Sequence, residues 1–103
     1  MDDTILSGGV NYRSVWLRCK VSPSFKPDEL YVRVEAEGTT ETPSFFVDPQ
    51  LVRGATPVQG REVEGEVAVI LIESHDGTLV VEVPGESVSY GPKIIVPRSL
   101  VSS

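Results

Sequence analysis

The sequence predicts an all-β fold: one or two small barrels made from two duplicated units of three to four strands that share a single core. Three observations point there. Apolar residues recur with period two almost throughout, the period of a half-buried strand. Nine Gly and eight Pro in 103 residues interrupt that pattern at short intervals. The second half of the chain also resembles the first when displaced by 49 residues. A length of this order predicts one compact domain, here residues 10–103.

Residues 1–9 end in Ser7-Gly8-Gly9 and read as a flexible lead-in, because consecutive glycines are costly to order. Val15, Leu17, Cys19 and Val21 then alternate with Trp16, Arg18 and Lys20 as a first strand. Ser22-Pro23-Ser24 and Lys26-Pro27-Asp28 mark a loop. Leu30, Val32, Val34 and Ala36 form the inner face of a second strand, with Tyr31, Arg33 and Glu35 outside. Gly38-Thr39-Thr40 breaks it, Ser44–Val47 is a third strand, and Leu51-Val52 resumes extended structure after Asp48-Pro49. The scheme then repeats. Glu62–Glu73 is a long strand whose middle, Val67–Ile72, is apolar on both faces and so expected to be covered on both. His75-Asp76-Gly77 reads as a hairpin turn with Gly77 supplying positive φ. Leu79–Val83 returns, Pro84-Gly85 closes it, and Ile94–Val96 and Leu100-Val101 finish the pattern. No segment holds helical periodicity over three turns, so helix is confined to short turns near Pro49 and Pro97.

Residues 28–52 laid on 77–101 give eight identities in 25 positions without a gap, including Leu30 on Leu79, Pro43 on Pro92 and Val52 on Val101. Upstream, an offset of 51 lays strand 15–21 on 66–72. The repeat units are then about 10–54 and 60–102. A unit of that size lies near the ~40-residue limit below which a core needs disulfides or metals. The single cysteine, Cys19, excludes an intramolecular disulfide and a cysteine-based zinc site, so the two units must bury surface against each other.

Ile95-Val96-Pro97-Arg98-Ser99-Leu100-Val101 resembles the end of an SH3-like barrel, where a strand runs through Pro-Ser into a one-turn helix and a short last strand; Val47–Val52 is a second, looser copy. The likeness spans about seven residues per copy and implies barrel geometry. The Ala-Leu-Tyr-Asp-Tyr-type segment and acidic loop of ligand-binding SH3 domains are missing, so polyproline binding is not carried over.

Nine Lys plus Arg against fifteen Asp plus Glu give a net charge of −6, unfavourable to a nucleic-acid binder held by bulk charge. No run reaches the ~18–20 apolar residues of a bilayer span, and Met1-Asp2-Asp3-Thr4 is acidic where a secretory signal is basic; a soluble cytoplasmic protein is expected. Catalytic groupings are poor. His75 stands in a turn beside Asp76, and Cys19 is in register with core positions. No Gly-rich phosphate loop and no metal-ligand spacing occurs, so neither a cofactor nor a metal is implied. An enzyme is not expected.

Charge is segregated instead. Residues 11–33 hold five cations against two carboxylates, whereas residues 62–84 hold six carboxylates and no Lys or Arg. Trp16, Arg18 and Lys20 share the outward face of one strand, and Tyr31 and Arg33 that of the next, an aromatic and cationic composition found at protein interfaces. Glu62, Glu64 and Glu66 form a second, acidic surface, expected on the opposite side. The expected function is a non-enzymatic protein-interaction or assembly module binding its partner through the aromatic-basic face. The alternatives are a single-stranded nucleic-acid-binding small barrel using that face, and a subunit of a homo-oligomer.

Overall fold

The computed structural model describes residues 13–35, 43–84, 86–87 and 93–103. The lead-in expected over residues 1–9, the break at Gly38-Thr39-Thr40 and Gly85 lie outside them. Over the described residues the fold is all-β, a curled antiparallel sheet of nine strands: β1 (Arg13–Pro23), β2 (Leu30–Arg33), β3 (Ser44–Val47), β4 (Val52–Arg53), β5 (Val63–Ser74), β6 (Thr78–Glu82), β7 (Glu86–Ser87), β8 (Lys93–Pro97) and β9 (Val101–Ser102). The helical content of the described residues is two single 3-10 turns, Pro49–Leu51 and Arg98–Leu100, where Pro49 and Pro97 foretold them. Asp48 caps the first: its side chain accepts from the Gln50 backbone N–H at 2.9 Å, and Pro49 supplies a preset φ at the first position.

The strand order is β7-β3-β2-β1-β5-β6-β8. The two longest strands, β1 and β5, lie side by side at its centre, paired from Arg13↔Leu71 to Val21↔Val63. On its other edge β1 is shared between β2, over Lys20–Pro23, and β9, over Trp16 and Leu17. The edge of β5 is divided likewise, between β6 and β4. Each short strand that follows a 3-10 turn therefore crosses to the long strand of the other half.

Alternation dictates what is buried. Val15, Leu17, Cys19 and Val21 point inward from β1, Val67 and Val69 from β5, and Leu79 and Val81 from β6. Together with Phe45, Val47, Ile94 and Val96, these side chains from both halves form one core cluster. β-branched residues suit this sheet, because their restricted χ1 loses little on a pleated surface.

Three sequence expectations need correction. The offset of 51 does not keep the faces: it lays buried Leu17 on Ala68, which points outward, whereas across the ladder Leu17 faces buried Val67. A slip of one residue reverses the faces of a strand; within β5 itself the pairing with β6 is irregular between Leu71 and Glu73. The outer face of β5 is covered only in part: Ala68 and Ile72 are half-buried, whereas Ile70 is 38% exposed. Positive φ is found at Gly54 (73°) and Gly60 (78°), not at Gly77. The turn at Gly77 is held by other means: His75 N–H donates to the Thr78 carbonyl at 2.9 Å, and Arg98 donates to Ser74 Oγ and the His75 carbonyl, both at 2.7 Å.

Gly65 is required by close approach. A Cβ there would lie 2.7 Å from Ala55 Cβ and 3.2 Å from the Arg53 carbonyl oxygen, where residues 53–55 press on β5. We expect Gly65→Ala to destabilise the fold by about 1–3 kcal/mol in urea titration, the range of an overpacked site. Gly77→Ala, which has open space, should stay within about 0.5 kcal/mol of the parent.

Candidate functional site

The outward face of β1, β2, β3 and β5 brings together most of the residues singled out by sequence. Tyr31 and Phe46 are cross-strand partners with ring centroids 5.4 Å apart at a tilt of 54°, within the favoured range for aromatic pairs. Arg33 stands two residues along β2. Its guanidinium forks onto Glu62, with Nε donating to Oε2 at 2.7 Å and Nη2 to Oε1, and Nη1 donates to Glu35 at 2.8 Å. Lys20, opposite Arg33 across the β1–β2 ladder, reaches Glu64 at 3.3 Å. Trp16 is half-buried, and the Arg53 guanidinium lies 4.1 Å from the centre of its ring. Arg53 also donates from Nε to Glu66 at 2.8 Å, and Ser102 Oγ donates to the same carboxylate at 3.1 Å.

Glu62, Glu64 and Glu66 are therefore not on an opposite surface. The β1–β5 register sets Lys20 against Glu64 and Arg18 against Glu66, so the acidic strand is the immediate neighbour of the basic one on the same face. Two residues of this face were not foreseen, Phe46 and Arg53. Phe46 was legible in the Ser44–Val47 alternation as the outward position. Arg53 carries no sequence signal, because its partners Trp16 and Glu66 come from two distant strands. Arg18 is exposed and lines an open groove of about 680 Å³ together with Lys20, Glu35, Glu64, Pro97, Ser99 and Leu100.

Electrostatics follow from these contacts. The Arg33 hydrogen bond holds the Glu62 carboxyl below the usual carboxylate range, and the Arg53 hydrogen bond does the same for Glu66. Burial pushes the Cys19 thiol up to about 12, and its Sγ lies 3.7 Å from the Gly65 carbonyl oxygen. A thiol so disposed stays protonated and inert. His75 is exposed and meets Glu73 at 2.8 Å rather than Asp76. Among the described residues no three His, Cys, Asp or Glu side chains cluster as metal ligands, and no helix is long and apolar enough to cross a membrane.

Comparison with protein-family models, with curated proteins and with solved structures finds no match.

Both depressed carboxyls favour the folded state at neutral pH. Their contribution is complete above the unfolded carboxylate value of about 4.3 and is lost as the pH falls through the lower folded values. Glu62→Gln should therefore lose less stability than the parent between pH 7 and pH 3 in paired urea titrations. Cys19 should resist a thiol reagent at pH 8 in the native state and react at once when the protein is unfolded.

Proposed function

We propose that the chain is a non-enzymatic protein-interaction module, built from two copies of one SH3-like β unit, that binds a protein partner through the outward face of its first copy. The Tyr31–Phe46 pair, with the Arg33–Glu62 and Lys20–Glu64 ion pairs beside it, carries this reading. A partly desolvated aromatic centre within a charged rim is the composition of protein interfaces. Trp16, Arg18, Lys20, Tyr31 and Arg33 belong to that face, and Glu62, Glu64 and Glu66 complete its rim instead of forming a separate contact.

The pairing supports the duplicated architecture. Leu30 pairs with Val47, and 49 residues further on Leu79 pairs with Val96. Val52 follows one 3-10 turn and pairs with Val67; Val101 follows the other and pairs with Leu17. Residues 17 and 67, themselves partners, then stand at equivalent places in the two copies, which puts a two-fold relation between them. In each copy the strand, the one-turn helix and the short last strand follow the order of an SH3-like barrel end.

A protein partner is favoured over a nucleic acid because Lys20, Arg33 and Arg53 already hold carboxylates on this face. A phosphate would have to displace them. The test is affinity capture from the native source, then titration of the recovered partner against variants. Tyr31→Ala/Phe46→Ala should weaken binding by about 2 kcal/mol or more while the protein, less stable by roughly the 0.5–1.5 kcal/mol or more of the lost aromatic pair, stays folded at the assay temperature. Unchanged affinity in that double variant would remove the face from consideration. A single-stranded oligonucleotide should not bind at 150 mM salt; binding that falls steeply with added salt would favour the nucleic-acid reading.

A further inference from the structure

On the inner side of the sheet the core gives way to a cleft where β1 begins. Arg13 has the inward parity of Val15 and Leu17 and ends the β1–β5 ladder opposite Leu71. Arg98 opens the second 3-10 turn. Together with Ser74 these two arginines line a cleft of about 230 Å³, whose apolar lining includes Val15, Leu71 and Leu79. Arg98 is held in place by uncharged acceptors: its Nη2 donates to Ser74 Oγ and to the His75 carbonyl, both at 2.7 Å. The Ser74 hydroxyl accepts that bond and so keeps its own proton to donate. Among the described residues no Asp or Glu lines the cleft, and neither guanidinium is ion-paired with a carboxylate. In a chain of net charge −6 this is a departure from the surroundings. The other end of the same ladder serves as an internal control. There the inward pair is Val21 and Val63, and the corresponding 3-10 turn starts with Pro49. That end is built without a cation at either place.

We propose that this cleft binds a phosphate monoester group, through Arg13, Arg98 and the Ser74 hydroxyl. Two guanidinium groups match the two negative charges that such a group carries near neutral pH, where a carboxylate would leave one cation unspent. Guanidinium forks also suit phosphate oxygens geometrically, and the bonds from Arg98 to the turn fix its fork before any ligand arrives. The volume is below the about 300 Å³ at which small-molecule pockets begin, which suits one anionic group and not a whole metabolite. The lining includes none of Trp16, Arg18, Lys20, Tyr31 or Arg33, so this assignment and that of the outward face stand or fall separately.

Amide NMR of the full chain, at constant ionic strength and about pH 7.5, tests the proposal with three probes. These are inorganic phosphate, a capped glycine-phosphoserine-glycine tripeptide, and acetate. The amides of Arg13, Ser74 and Arg98 should shift saturably with phosphate and with the phosphopeptide, and acetate should bind at least about tenfold more weakly. Arg13→Gln should weaken phosphate binding at least about tenfold while the remaining amides keep the pattern of the folded parent. Arg13→Lys, which restores the charge, should recover part of that loss. Tighter binding of the phosphopeptide than of phosphate supports a phosphorylated protein as the source, and the reverse order supports the free anion. No saturable shift up to about 20 mM phosphate, acetate bound as tightly as phosphate, or parental affinity in Arg13→Gln would overturn the proposal. Shifts centred on Lys20 and Arg33 would overturn it too, by placing the anion on the outward face.

Discussion

The ladder between β1 and β5 is the interaction on which the rest of the structure depends. Nine residue pairs, from Arg13↔Leu71 to Val21↔Val63, join the halves through main-chain hydrogen bonds. Its inner face supplies the buried centre of the core, with Leu17 and Val67 fully enclosed. Its outer face aligns the cations of one strand with the carboxylates of the other. Neither half holds enough apolar surface for an independent core, so the ladder converts two marginal sheets into one cooperative unit.

That arrangement explains why the surface is less polarised than its sequence. The cations of residues 11–33 and the carboxylates of residues 62–84 suggest a molecule with two electrical poles. The register folds the two runs together, and Lys20 with Glu64 and Arg33 with Glu62 neutralise locally. Exposed ion pairs of this kind contribute little to stability one at a time. On this face they stand beside the Tyr31–Phe46 pair and half-buried Trp16.

Local chemistry made much of the fold legible. Ser44–Val47 is a strand with the bounds its alternation suggests, and both 3-10 turns fall beside the prolines that favour them. Gly65, inside a strand pattern, is a readable sign of close backbone approach. Non-local facts were not legible. The offset of 51 set inward residues on outward ones, because identity matching does not test which face a side chain occupies. The candidate site was half legible for the same reason: Tyr31 and Arg33 follow from period two, whereas the Arg53–Trp16 contact depends on β4 reaching over to β5. Gly77 shows the converse error, since the tightness credited to its backbone comes from Arg98, donated by a remote turn.

The exchange of short strands also governs the order of assembly during synthesis. Trp16 and Leu17 are among the first described residues to leave the ribosome, yet the strand that covers their edge, Val101–Ser102, follows more than eighty residues later. Throughout that interval the nascent first half has an unsatisfied β edge beside an exposed indole, the kind of template that recruits stray strands. That part of the β1 edge is closed only when residues 101–102 have been added.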